Sequence, residues 1–255
     1  MSIELITQGQ GFATDTPPTR RLADAISDAI ASAVLEGKLA PGDALPSEGE
    51  LAREFDVSRP IAREALRHLT AAGLVHTQQG KVARVKALNG EPLDRLYGMA
   101  ARSSLTRLRE ANEMRRVIEA SIAKLAAERR DADGIAALKA AWVVMDNCGT
   151  NPALFTIADI NFHQAIALAT GNSMIRIQAE GLKSVQREVS KLFTHRNTRT
   201  PDDWTATIHR HRDVMEAIVA GDAYAAERAI EAHYSAADVA SLEVAADLPL
   251  DGTAT

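Results

Sequence analysis

Four side chains in the C-terminal half have the types and spacing to hold a metal ion. Asp159 and His163 stand four residues apart in the stretch DINFH, so a helix carrying them projects both from one face. A carboxylate and an imidazole so placed reach a shared cation. His211 lies ten residues before the helix-breaking pair Gly221-Asp222, and His233 lies eleven residues after Asp222. If the two segments fold back as an antiparallel hairpin, each climbs roughly 15–17 Å from the turn, at about 1.5 Å per residue. The two imidazoles then meet at nearly the same level. One carboxylate and three imidazoles suit Zn, Ni, Mn or Fe(II) and leave coordination positions open. Spacing alone leaves a second reading standing, four unrelated surface or core residues. His195 and His209 fit no such geometry. His209 is two residues from His211 and faces elsewhere on a helix.

A site of this kind with an open position can also activate water, as a metal hydrolase does. No additional base stands at a recognisable spacing, and there is no Glu-x-x-His pair of the di-iron bundles. The chain is therefore read as a non-enzyme, with no catalytic residues.

A different chemistry is written near the N-terminus. Arg59, Arg63 and Arg67 recur every four residues, so they line one edge of a helix while Ile61, Ala62, Ala65, Leu66 and Leu69 face inward. A guanidinium fork makes two bonds to guanine in the major groove or grips a phosphate. Ser58, at the helix start, can cap that helix or donate to a phosphate where the backbone N–H groups also point. Arg67 is furthest from the helix start and suits phosphate or solvent.

These residues must be positioned by the elements around them. Leu22, Ala25, Ile26, Ile30, Ala33 and Val34 recur with helical period between Arg20 and Glu36, and Gly37 closes that helix. Ser47 with Glu50 three residues on forms a capping box that starts a second helix, whose inner face carries Leu51 and Phe55. Asp56-Val57 turns the chain into the arginine helix, with Pro60 tolerated in its first turn. Two short strands follow, at about 74–78 and 82–86, with a turn at Gln79-Gly80. The tip residues Gln79, Gly80 and Lys81 can reach an adjacent minor groove. Three short helices and a hairpin within seventy or so residues is the order of a winged helix-turn-helix. Residues 87–93 read as a linker, through which a ligand in the second domain would shift the placement of the DNA-binding domains. From 94 to about 243 only helical period is seen, broken near Thr150-Asn151, Gly171-Asn172, Pro201 and Gly221-Asp222, which gives six or seven helices.

The fold class expected is mostly α. A winged helix-turn-helix domain spans 19–87 and an all-helical bundle 94–243, with tails at 1–18 and 244–255. A chain of 255 residues has room for two cores. Hydrophobic residues at 46% and aromatics at 4% favour a soluble helical protein. No apolar run is long enough to span a membrane, and the first nineteen residues lack the basic start of a signal peptide. Cys148 is alone, which excludes an internal disulfide and suits a cytoplasmic protein. The net charge is −5, but residues 20–86 carry ten Lys and Arg against nine Asp and Glu. DNA affinity must therefore come from where the arginines sit and not from a global field.

The stretch PGDALPSEGELAREFDVSRPIAREALRHLTAAGLVHTQQGKVARV, Pro41 to Val85, closely resembles the GntR family of bacterial transcription regulators. The LPSE motif, VSR followed by REAL, the GLV and the wing glycine stand at family spacing. The resemblance implies DNA contacts from Ser58, Arg59, Arg63, Gln79 and Gly80. It departs at Gly49, where the family usually has Arg or Lys, so the operator preference is left open. Residues 105–240 resemble the FadR-type ligand-binding domain, the FCD domain, through EMRRVIEASIAKLAAER, DINFHQAI with the later TGN, and HRDVMEAIVAGD followed by His233. That resemblance implies a metal site at Asp159, His163, His211 and His233. It also implies that Arg115 faces an effector pocket, where it would grip a carboxylate; Asn172 and Arg187 are further candidates.

Together these readings give a cytoplasmic homodimer that binds a two-fold double-stranded DNA operator, most simply as a repressor. A small organic or sugar acid, bound with a divalent metal, would control it. An architectural DNA binder with an effector-free bundle is the rival.

Overall fold

The computed structural model describes residues 18–77, 82–194 and 200–247. The chain divides into two compact units, Met1–Leu88 and Asn89–Thr255. In the first, α1 (Pro18–Leu35), α2 (Glu48–Glu54) and α3 (Arg59–Ala71) precede an antiparallel hairpin of β1 (Val75–His76) and β2 (Arg84–Val85). Val75 pairs with Val85 and His76 with Arg84, and Ala44 bridges to Arg84. Both strands are shorter than the sequence suggests. The Ser47–Glu50 capping box forms in full, so α2 starts where its orphan N–H groups find partners.

The core of this unit joins Ala23, Ile26 and Ile30 of α1, Leu51 and Ala52 of α2, and Ala62, Ala65, Leu66 and Leu69 of α3 to Leu45, Val75, Ala83 and Val85. Three apolar residues expected inside lie outside. Leu22 and Ala25 sit at the edge of the α1 stripe and are exposed, and Phe55, the C-cap of α2, is 36% exposed.

The second unit holds eight helices among the described residues: α4 (Glu91–Ser103), α5 (Leu105–Arg129), α6 (Ala132–Asp146), α7 (Pro152–Ala169), α8 (Ser173–Gly181), α9 (Lys183–Thr194), α10 (Pro201–Ala220) and α11 (Ala223–Asp247). The count exceeds expectation because three breaks carry neither a Pro nor a left-handed Gly. Ser104 caps α5 through Arg107 N–H, Arg130 in the left-handed region ends α5 before the Asp131 cap, and Leu182 separates α8 from α9. Helix α4 begins inside the segment read as linker, since Pro92 fits a first turn. Helix α11 runs into the segment read as a C-terminal tail.

The bundle core is led by Phe162, Leu138, Met145, Ile218 and Ile230, with Cys148 also buried in it. Burying a side chain such as Phe162 contributes roughly 1.5–3 kcal/mol before cavity effects. Gly134 lets α6 and α7 touch, because a Cβ there would lie 2.2 Å from Ala169 Cα. Gly221, at φ 79°, closes α10 so that α11 folds back along it. At the other end, Gly90 N–H donates to Glu180 Oε2 at 2.8 Å, and Ser184 Oγ donates to Asp94 Oδ2 at 2.8 Å. These two bonds pin the start of α4 to α8 and α9.

Candidate functional site

In the first unit, α3 turns its apolar side into the core and leaves Ser58, Arg59, Arg63 and Arg67 exposed on the other. Ser58 occupies the N-cap position, but its side chain makes no capping bond, which leaves the hydroxyl available to a ligand. Arg63 is engaged by α2. Its Nε donates to Glu48 Oε1 at 2.9 Å and its Nη2 to Glu48 Oε2 at 2.8 Å. The bond from Arg63 holds the Glu48 carboxyl below its usual range, helped by the charges of Arg59 and Arg67. Arg67 pairs with Glu64 at 3.5 Å along its own helix. Gly49 lies under Arg59, whose guanidinium passes 3.6 Å from where a Cβ would stand. Gln79, Gly80 and Lys81 lie outside the described residues.

In the second unit, Asp159 and His163 of α7, His211 of α10 and His233 of α11 come together. One ligand atom from each lies within 4.8 Å of all the others. Exposure of the four runs from 1% for His211 to 9% for Asp159 and His233. The rings of His211 and His233 are 4.3 Å apart, so the hairpin of α10 and α11 sets them at one level. Phe162 packs edge-on against both His163 and His211 and limits their rotation.

Neighbours aim these rings inward. His211 Nδ1–H donates to the Thr207 carbonyl at 2.9 Å, leaving Nε2 facing Asp159 Oδ1 at 2.9 Å. His163 Nδ1 bonds the Glu119 carboxylate, and its buried Nε2 has no hydrogen-bond partner. His233 Nδ1 is likewise buried without one. Gln186 donates to the second Asp159 oxygen at 2.9 Å. Inward nitrogen lone pairs beside a carboxylate, left unsatisfied in a buried place, fit a divalent cation.

Without a cation, a proton takes part of its place, and a bound metal would have to displace it. Burial alone would raise Asp159, yet the nearby imidazoles of His163, 3.6 Å away, and His211, bonded to it, hold it well below the carboxylate range. Burial likewise opposes charge on Glu119, but Arg115 and His163 bring it down to about 2. For His163 burial pulls down, while Glu119 and Asp159 outweigh it and lift the imidazole to about 9. Burial, then the neighbouring His211 and His163, push His233 well below its ordinary value, so it stays a neutral imidazole.

Beside the cluster is a cavity of about 40 Å³, room for a few waters. Arg115 lines it but is only 3% exposed, with Nε bonded to Glu119 Oε1 at 3.1 Å and its guanidinium over the Tyr234 ring. Its grip is therefore already partly taken. Two expected pocket residues lie elsewhere. Asn172 caps α8, accepting from Met174 and Ile175 N–H groups, and does not line the cavity. Arg187 is exposed because α9 turns its neighbour Gln186 inward. Arg210, which the sequence reading missed, lines the cavity; its Nε is buried with no partner among the described residues. His209 is exposed, and His195 lies outside the described residues.

A winged helix with a guanidinium edge, in one chain with a helical bundle that buries a polar cavity, defines a two-domain DNA-binding regulator. Residues 22–85 match the description "Bacterial regulatory proteins, gntR family" and residues 110–236 match the FCD domain. The chain is 30% identical over 208 residues to the HTH-type transcriptional regulator LutR of Bacillus subtilis strain 168, covering 78% of this chain and 92% of that one. It is 30% identical over 215 residues to the galactonate operon transcriptional repressor of Escherichia coli K12, covering 83% and 93%. A solved Streptococcus agalactiae GntR shares the fold at TM-score 0.60 and 22% identity, over 84% of this chain and 97% of that one. The chain belongs to the GntR family of bacterial transcription regulators and carries an FCD domain. It is a DNA-binding regulator, and these relatives are regulators rather than enzymes. No described helix is long and apolar enough to cross a membrane.

Proposed function

We propose that a small carboxylic acid, taken up beside a divalent metal in the bundle, controls operator binding by this regulator. The observation that carries the reading is the four-residue cluster of Asp159, His163, His211 and His233, buried beside a cavity walled by Arg210 and Arg115. A divalent cation, when bound, supplies positive charge and open positions for a carboxylate oxygen. Glu119, Thr207 and Gln186 hold three of the four, His163, His211 and Asp159, in register. Arg210 supplies the guanidinium that orients the acid. The cavity's size favours an acid of few carbons, or requires the walls to widen for a sugar acid.

DNA is read by Ser58, Arg59 and Arg63, with Arg67 on phosphate and the wing tip Gln79, Gly80 and Lys81 in the minor groove. A homodimer presents two such edges to a two-fold operator. Repression follows the E. coli relative, which is named the galactonate operon transcriptional repressor, and the acid would release it. The acid acts only through its difference in affinity between DNA-competent and incompetent states.

The test is a thermal-shift series on the full chain with Zn, Ni, Mn or Fe(II), then sugar acids and short hydroxy- and dicarboxylates, with chelator controls. Expected is stabilisation by metal, further stabilisation by one acid class, and weaker operator binding with that acid. No metal shift, or an unchanged shift in H163A/H211A, overturns the metal reading. DNA affinity indifferent to every stabilising acid favours the effector-free architectural binder.

A further inference from the structure

An acidic side chain stands in the middle of the arginine edge. Glu48 opens α2, and Arg63 of α3 meets its carboxylate with two of its nitrogens, Nε and Nη2. Both side chains are largely open to water, at 38% and 56% exposure. An exposed ion pair adds little to stability. A negative charge on a face that meets phosphates also weakens attraction to DNA. Neither folding nor general affinity accounts for the arrangement, but the geometry of the fork does.

A guanidinium is planar, so fixing its Nε–Nη2 side fixes the direction of the remaining side. The donors left over, on Nη1 and the outer hydrogen of Nη2, make no hydrogen bond among the described residues and form a parallel pair. That pair matches the O6 and N7 acceptors that guanine shows in the major groove. A free arginine samples many rotamers and settles readily on a phosphate; a braced one presents two donors at one angle. Arg59 has no such brace, since the residue beneath it is Gly49 and its guanidinium lies over that glycine.

We propose that Glu48 is a specificity-determining residue, a positioning group that braces Arg63 to read guanine. The inference rests on the reading of Arg63 as a DNA contact. Glu48 itself touches no base. It acts by removing the orientations in which Arg63 would be satisfied by phosphate or by another base.

The experiment selects double-stranded DNA from a library with a randomised core, using the full-length protein, E48Q, R63A and R63K at one salt concentration. The Glu48→Gln change is near-isosteric and lies outside the Ser47–Glu50 capping box, so α2 keeps its start. Wild type should enrich guanine at one position in each half-site. E48Q should lose about tenfold or more of that preference at that position alone, while binding unselected DNA more tightly because a negative charge is gone. R63K, which keeps the charge but lacks the fork, should resemble E48Q in sequence profile. If E48Q binds all sequences more tightly with an unchanged profile, Glu48 is only a counter-charge and the inference is overturned. If R63A leaves the profile unchanged, the DNA-contact role of Arg63 fails first, a separate outcome.

Discussion

Both units are organised around charged side chains, but they handle them in opposite ways. The winged helix keeps its arginines at the surface, where each makes one carboxylate contact or none and the apolar face beneath does the folding. The bundle buries Arg115, Glu119, His163, Asp159 and His211 together, each paired with another, with the neutral His233 beside them. Exposed charges are free to exchange partners with DNA at small cost. Buried charges form a single connected unit whose members cannot be altered one at a time.

That contrast sets the order of the expected effects. Glu119→Ala leaves Arg115 and His163 buried without their carboxylate and should cost about 3–5 kcal/mol. Both tryptophans, Trp142 and Trp204, lie in the bundle, so urea unfolding followed by fluorescence reads that unit directly. An unchanged midpoint would place the pair among ordinary surface ion pairs. Next in size, zinc at a hundred times its Kd should stabilise the bundle by about 2.7 kcal/mol. EDTA should reverse the gain and His163→Ala should abolish it, with the winged helix unaffected.

Arg59→Ala or Arg63→Ala should weaken operator binding by about 1–3 kcal/mol, measured by anisotropy at fixed salt. The bundle's urea midpoint should not move, since surface substitutions rarely exceed about 0.5 kcal/mol. A joint loss of binding and bundle stability would erase the distinction between the two units. The smallest effect is Ser47→Ala, which removes the cap of α2 and should cost about 1 kcal/mol in the thermal stability of the winged helix.

The winged helix was legible because its signals are local. A capping box, a Pro in a first turn and a three-helix apolar pattern act within a few residues of themselves. The errors there, Leu22, Ala25 and Phe55, are boundary residues of an apolar stripe, where burial depends on how wide the opposing face is. In the bundle, the spacing of Asp159 and His163, and the symmetric distances of His211 and His233 from Gly221-Asp222, could be read as geometry. Their supports could not, because Glu119, Gln186 and Arg210 meet the cluster only through tertiary packing. One signal was present: Arg115 and Glu119 stand at i, i+4 on the apolar side of α5, an ion pair aimed inward. Asn172 and Arg187 show the limit of family likeness, for one serves as a helix cap and the other points to solvent.

The two bonds at the start of α4 give the bundle a stiff entrance. Strand β2 ends at Val85 and Gly90 is already fastened to Glu180, so the chain has few slack residues in which to lose a displacement. Ser184, which clasps Asp94, sits on the same helix turn as Gln186, which clasps Asp159. On the proposed reading, strain created where an acid settles would pass along α9 to the doorway through which the polypeptide arrives, with no part of the bundle having to unfold.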